Sequence, residues 1–190
     1  MLRKIGIIGG GIIGLALAYK LGIKGYKVTV FEKENVPGKH QSGRNSGVLH
    51  CGLYYQPGSL KAKLSVEGIR EMTSFCKENK LDYDICGKVV VATTEKEIKA
   101  LDKLANRGKL NGLSNLKYLN KNELKKREPF VKAKKTLLVP EEGIVDYNSV
   151  MEKLVKLIRE QNGEVLFDTL VNQIIKSTSN EVVIKSNHID

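Results

Sequence analysis

Gly9-Gly10-Gly11-Ile12-Ile13-Gly14 spells GxGxxG, and an acidic residue, Glu32, falls 18 positions beyond Gly14. Glycines at this spacing serve pyrophosphate capture. Gly9 permits a tight strand-to-helix turn, Gly11 lets the backbone approach a phosphate with no Cβ in the way, and Gly14 lets the helix pack close to the strand. The phosphates then rest on a helix N-terminus, where free N–H groups and the helix dipole favour negative charge. Glu32, at the end of the following strand, is placed to accept hydrogen bonds from ribose hydroxyls.

The elements needed to hold these groups are present on either side. Lys4 to Ile8 is a short β-branched run, Ile12 to Leu21 is an apolar helical stretch stopped by Gly22 and Gly25, and Lys27 to Phe31 is again β-branched. This is a βαβ unit whose strands are apolar enough for a parallel sheet covered on both faces. A secretory signal is imitated by Arg3 and Lys4, the apolar run from Ile5 and the string Ala16-Leu17-Ala18, but four glycines between positions 9 and 14 would spoil an h-region. No stretch approaches the ~20 apolar residues that span a bilayer.

A glycine fingerprint does not choose between NAD and FAD. The stretch that follows favours FAD. A nicotinamide domain normally continues with another βα unit, whereas Lys33 to Ser59 is a long polar loop punctuated by Gly38, Gly43, Gly47, Gly52 and Gly58. Loops of this length are uncommon unless functional, and this one suits a cofactor whose ribityl chain and isoalloxazine extend beyond the pyrophosphate.

Further along, Leu60, Leu64, Ile69, Met72, Phe75 and Cys76 lie at helical spacing and read as a core stripe. Lys88 to Thr94 reads as a strand, Glu95 to Arg107 as an amphipathic helix, and Asn111-Gly112 as a turn. Asn120 with Glu123 forms a capping box for a short helix that Pro129 ends. Thr136 to Val139 is a strand, and Val150, Leu154, Leu157 and Ile158 mark a helix before Gly163. Glu164 to Phe167, Leu170 to Lys176 and Glu181 to Ser186 are short strands, and the sequence stops in Asn187-His188-Ile189-Asp190.

Composition narrows the class. A chain of 190 residues with 41% hydrophobic content can bury a real core. Lys and Arg number 32 against 21 Asp and Glu, a net charge of +11, yet only six are Arg, Trp is absent and the lysines are scattered. That distribution argues against a nucleic-acid surface. The three cysteines, Cys51, Cys76 and Cys86, have no metal-ligand spacing and no even pairing, so a reducing, cytoplasmic setting is expected, with no metal.

The loop His40-Gln41-Ser42-Gly43-Arg44-Asn45-Ser46-Gly47-Val48-Leu49-His50-Cys51-Gly52-Leu53-Tyr54-Tyr55-Gln56-Pro57-Gly58-Ser59-Leu60-Lys61-Ala62-Lys63-Leu64 resembles the signature of L-2-hydroxyglutarate oxidases and dehydrogenases, within the D-amino-acid-oxidase-like FAD family. Cys86-Gly87-Lys88-Val89-Val90-Val91-Ala92 and Gly143-Ile144-Val145-Asp146-Tyr147 resemble the same proteins. The resemblance implies an α/β fold: an FAD-binding, Rossmann-like parallel sheet with part of an α+β substrate domain. It divides the chain into a first part of the FAD-binding domain over 1–84, a partial substrate domain over 85–145, and a return to the FAD-binding domain over 146–190.

By the same resemblance, the reaction is oxidation of a 2-hydroxy acid, L-2-hydroxyglutarate, with hydride leaving the α-carbon for flavin N5 and a base removing the hydroxyl proton. Gly9, Gly11, Gly14 and Glu32 would bind the ADP half, Ser42, Asn45, Ser46 and Gly47 would line pyrophosphate and flavin, and the Val171 backbone would touch adenine. His50 is the base candidate, since imidazole titrates near neutrality. Its alternatives are a structural loop histidine and a covalent flavin link. Tyr54 and Tyr55 either shape the substrate pocket or pack, and packing is favoured.

Members of that family are longer. The resemblance therefore implies an N-terminal portion, without the second glycine-containing FAD motif and without the basic residues that grip substrate carboxylates. Other readings stay open: a nucleotide-binding remnant, half of a split enzyme paired with a second polypeptide, an amino-acid or amine oxidase on the same scaffold, and, more weakly, an NAD-linked dehydrogenase. The electron acceptor, oxygen or a quinone reached at the face of the inner membrane, leaves no motif.

Overall fold

The computed structural model describes residues 4–176 and 181–187 and resolves them into two compact units. The first comprises residues up to Ser46 and from Asp146 onward, and the second runs from Gly47 to Val145. The terminal residues His188-Ile189-Asp190 lie outside the described residues.

In the first unit β1 (Lys4–Ile8), α1 (Ile12–Ile23) and β2 (Lys27–Phe31) form the expected βαβ arrangement. β1 pairs with β2 in parallel, with Lys4 opposite Lys27 and Ile8 opposite Phe31. The chain leaves this unit through the polar loop, in which Gln41–Gly43 forms a single 3-10 turn.

The second unit begins with β3 (Val48–Leu49), followed by α2 (Leu60–Asn79), β4 (Tyr83–Asp84), β5 (Lys88–Ala92) and α3 (Glu95–Leu110). Then come β6 (Lys117–Leu119), α4 (Lys121–Arg127), β7 (Lys135–Val139) and β8 (Gly143–Val145). β8 pairs antiparallel with both β3 and β4, and β7 pairs antiparallel with both β5 and β6. Cys51, Leu53, Ala92, Leu101, Ala105, Leu113, Leu137 and Val139 pack into one buried core.

The chain returns to the first unit with α5 (Tyr147–Glu160) and β9 (Glu164–Leu166), which extends the parallel sheet to the order β1-β2-β9. Asp146 caps α5 by accepting from Asn148 and Ser149 N–H groups, and the helix buries Val150, Met151, Leu154, Val155 and Ile158. β10 (Val171–Lys176) and β11 (Val182–Ser186) form an antiparallel pair with a bulge between Val171 and Gln173. A Cβ on Gly14 would meet Ile7, whereas one on Gly6 would lie 2.6 Å from Ile184 Cδ1. Neighbouring strand residues face opposite sides, so α1 covers one face of β1 and the β10–β11 pair covers the other.

By compactness the first division of the chain falls between Ser46 and Gly47, because β3 and β4 share β8 and Cys51 and Leu53 belong to the second core. Three expectations change. The α2 stripe splits: Cys76 is buried, but Leu60 and Leu64 are 70% and 55% exposed. Those two leucines lie roughly 140° or more round the helix from Ile69. The strand from Lys88 ends at Ala92 because Thr94 instead caps α3 in a capping box with Glu97. β1 is also less covered than a central parallel strand. Among the described residues it pairs only with β2, and Ile8 is 53% exposed.

Candidate functional site

The GxGxxG segment forms the turn from β1 into α1, and each of the three expected glycines has a steric reason. Gly9 has φ of +107°, which L side chains rarely adopt. A Cβ on Gly14 would sit 2.0 Å from the Gly9 carbonyl oxygen, so only glycine allows the helix this close to the strand end. A Cβ on Gly11 would press to 3.0 Å from Ser42 Oγ, closing the approach to the helix N-terminus.

Before that N-terminus lies a cleft of about 310 Å³ lined by Gly9, Gly11, Glu32, Ser42 and Val171, together with other residues of the first unit. Ile12 N–H at the start of α1 donates to Ser42 Oγ at 3.1 Å. Glu32 follows β2 directly. One of its oxygens accepts from Gly10 N–H at 2.5 Å and the other from Glu34 N–H at 2.9 Å. At the rim, Lys39 Nζ and His40 Nε2 lie 2.9 and 2.7 Å from the Glu34 carboxylate. Those two partners, Lys39 first, hold the Glu34 carboxyl down to about 2.

This cradle fits an adenine dinucleotide on its own geometry. The helix N-terminus faces a cleft, α1 has no acidic residue in its first turn, and the glycine surface would be filled by any Cβ. Of the expected cofactor residues, Gly9, Gly11, Glu32, Ser42 and Val171 come together at the cleft, with Gly14 beneath. Asn45 and Ser46 are exposed and are not among the lining residues, although Asn45 Nδ2 donates to the Ser42 carbonyl at 2.6 Å. Gly47 opens the second unit. Its carbonyl accepts from Val145 N–H at 2.8 Å, and at φ +70° a Cβ would come 2.8 Å from the Val145 oxygen.

His50 belongs to the second unit, just after β3, and sits in a cluster that sequence reasoning did not assemble. Its Nδ1 lies 2.8 Å from Glu142 Oε1, and Lys88 Nζ lies 2.8 Å from the same oxygen. Glu142 Oε2 accepts from the Cys51 thiol at 2.9 Å and from Cys51 N–H at 3.4 Å. The Glu142 side chain is 4% exposed, against 58% for His50. Burial alone would raise the Glu142 carboxyl, but the hydrogen bonds from Cys51, Lys88 and His50 outweigh it and keep the group below the usual carboxylate range. Burial first, then Glu142, pushes the Cys51 thiol up to about 12, so it stays protonated as a donor.

Lys88 Nζ also stands 4.4 Å from the centroid of the Tyr54 ring. Tyr54 and Tyr55 line a cavity of about 220 Å³ with His50, Gly52, Leu53 and Glu142. Tyr54 is half exposed, with one part of its ring against Lys88 and another lining this cavity. In the sequence Lys88 reads as the first residue of a strand, within the segment Cys86 to Ala92, with nothing to mark its charge partner. Glu142 sits in Pro140-Glu141-Glu142-Gly143, where nothing in residue type distinguishes the buried glutamate from its neighbour.

Among the described residues no helix is long and apolar enough to cross a membrane. The model of the family described as "FAD dependent oxidoreductase" matches residues 4–189. The chain is 44% identical over 172 residues to an L-2-hydroxyglutarate dehydrogenase of Indibacter alkaliphilus, covering 90% of this chain and 42% of that protein. With the enzyme of that name from Escherichia coli K12 it shares 40% over 183 residues, covering 95% of this chain and 43% of the relative. The chain thus spans less than half the length of these curated relatives.

Among solved structures, FAD-bound L-α-glycerophosphate oxidase from Mycoplasma pneumoniae superposes with a TM-score of 0.88 at 27% identity, over 98% of this chain and 50% of that one. Glycine oxidase from Geobacillus kaustophilus gives 0.85 at 22% identity over 98% and 52%, a likeness of fold alone. Matched along nearly its whole length, and related to L-2-hydroxyglutarate dehydrogenases, the chain belongs to the FAD dependent oxidoreductase family.

Proposed function

We propose that this chain carries the dinucleotide cradle and the proton-accepting group of an FAD-dependent enzyme that oxidises L-2-hydroxyglutarate to 2-oxoglutarate. The observation that carries the substrate assignment is the identity of 40% or more to dehydrogenases of that name over at least nine-tenths of this chain. The cleft geometry supports the cofactor assignment separately.

In this reading Gly9, Gly11 and the N-terminus of α1 hold the pyrophosphate, with Gly14 setting the helix close beneath it. Glu32 exchanges its Gly10 and Glu34 N–H partners, in part, for ribose hydroxyls. Ser42, Asn45, Ser46 and Gly47 run along the pyrophosphate and flavin, and the Val171 backbone lies beside adenine at the cleft edge. Bound there, FAD supplies the hydride acceptor. His50 takes the hydroxyl proton of the substrate, a task suited to an imidazole at neutral pH. The regions 47–84 and 85–145 together shape the substrate side, and the face that meets the electron acceptor is assigned to neither unit.

Because the chain spans 42–43% of these relatives, turnover is assigned to it together with the portion those relatives carry beyond the match, in one polypeptide or as a second one. The test is purification of this chain alone and with that portion supplied, followed by an absorbance scan and acid precipitation. Flavin that is present and released by acid supports a non-covalent FAD site, whereas a preparation that binds NAD and no flavin would remove the reading.

A further inference from the structure

We infer that Glu142 is the positioning residue for His50: its buried carboxylate takes the Nδ1–H of the ring and leaves Nε2 as the bare nitrogen that accepts a proton. The inference rests on the reading of His50 as the base, and it adds which nitrogen acts and what fixes it.

An ionised carboxylate only accepts, so a ring nitrogen at 2.8 Å from Glu142 Oε1 must be the one that carries hydrogen. A neutral imidazole has one hydrogen, so Nε2 is then bare. The carboxylate cannot easily turn away. Lys88 Nζ holds the same oxygen at 2.8 Å, and the Cys51 thiol and N–H hold the other at 2.9 and 3.4 Å. Lys88 is itself fixed over the Tyr54 ring at 4.4 Å. His50 is more than half exposed while Glu142 is buried, so the bond anchors the Nδ1 edge of a ring that, with Tyr54 and Tyr55, lines the cavity.

Among the described residues, the charged and titratable groups beside the pair are Cys51, next to His50 in the chain, Lys88 at the start of β5, and Tyr54 and Tyr55 in the shared cavity. A purely structural Lys88–Glu142 ion pair would place no demand on the tautomer of His50. The positioning role does.

The test is ¹⁵N NMR of the imidazole rings in this chain, with His50 assigned by loss of its signals in His50→Gln. In its neutral form, wild-type His50 is expected to show a protonated Nδ1 and a bare Nε2, favoured on the order of tenfold, the scale of a hydrogen bond to a charged group. In Glu142→Gln the amide can offer either an acceptor or a donor to the ring, so that preference falls several-fold toward mixed tautomers. Lys88→Met removes the competing donor and keeps the acceptor, so the wild-type tautomer persists. A majority of protonated Nε2 in the wild type overturns the inference, as does an unchanged ratio in Glu142→Gln or an equal loss in Lys88→Met. The readout needs neither flavin nor turnover. Failure of the enzyme to oxidise L-2-hydroxyglutarate therefore counts against the proposed function and leaves the tautomer result to stand separately.

Discussion

In the first unit, Gly9, Gly11, Glu32 and Ser42 meet at a cleft from within one short stretch of chain, with Gly14 beneath, the glycines fixed by backbone geometry and the two side chains by backbone N–H groups of the same loop. In the second, His50, Lys88 and Glu142 meet across separations of 92 and 54 positions, and each is held by charge and hydrogen bonds. The first arrangement writes itself into the sequence, because a positive φ and a 2.0 Å approach to backbone admit glycine and little else. The second does not, because a lysine or glutamate buried in a network is the same letter as one in solvent. Geometry-bound sites are read locally; charge-bound sites need the fold.

The sharpest way to break this comparison is His50→Ala. With the completed enzyme, the rate is expected to fall by about 10² to 10⁴ with FAD still bound, since only proton transfer is removed. Steady-state turnover at neutral pH beside a flavin absorbance scan measures both. Wild-type turnover in the variant would mean that the second unit's cluster is structural.

Next comes Gly14→Ala, expected to cost about 3 kcal/mol of stability because the new methyl meets a backbone oxygen that cannot yield. Gly68→Ala, in α2 with nothing within 4 Å of its added Cβ, is expected to stabilise by up to about 1 kcal/mol. Urea denaturation of both variants checks the contrast, and equal effects would remove the steric account of the glycine loop.

Much of the fold was legible for the same reason as the glycines. The βαβ unit and its strand limits, the Asn120–Glu123 capping box and the helix before Gly163 all follow from local pattern. What escaped was one local signal and several tertiary ones. The β-branched run Val89-Val90-Val91-Ala92-Thr93-Thr94 hides the point where Thr94 turns from strand to helix cap. Leu60 and Leu64 share helical spacing with the core residues of α2 but not their face. Tyr54 reads as an ordinary packed aromatic until Lys88 is seen above its ring.

Glu32→Ala is expected to weaken FAD by roughly 1 to 3 kcal/mol, through lost hydrogen bonds to a charged acceptor. The same change frees Gly10 and Glu34 N–H groups, so Glu32→Gln should fall between it and the wild type. Flavin fluorescence titration ranks the three proteins, and unchanged affinity in Glu32→Ala would place the ribose contact elsewhere.

The smallest effect concerns pH. The Glu142 carboxyl lies below its ordinary value of 4.5 in the folded chain. Its contribution to stability is therefore fully present above that ordinary value and is lost as pH falls through the lowered one. Thermal melts between pH 6 and pH 3 should show Glu142→Gln losing less on acidification than the wild type, by no more than a few degrees. Parallel curves would mean that the carboxylate is not the ionised hub of its cluster.

The most direct test of the central claim joins both regions in one observation. The chain is supplied with the portion that its relatives carry beyond the match, loaded with FAD and mixed anaerobically with L-2-hydroxyglutarate while the flavin absorbance is followed. The oxidised flavin band is expected to bleach in the wild type, and to bleach at least a hundredfold more slowly in His50→Ala with the same flavin content. A flavin that stays oxidised with L-2-hydroxyglutarate yet bleaches with an amino acid would contradict the substrate claim.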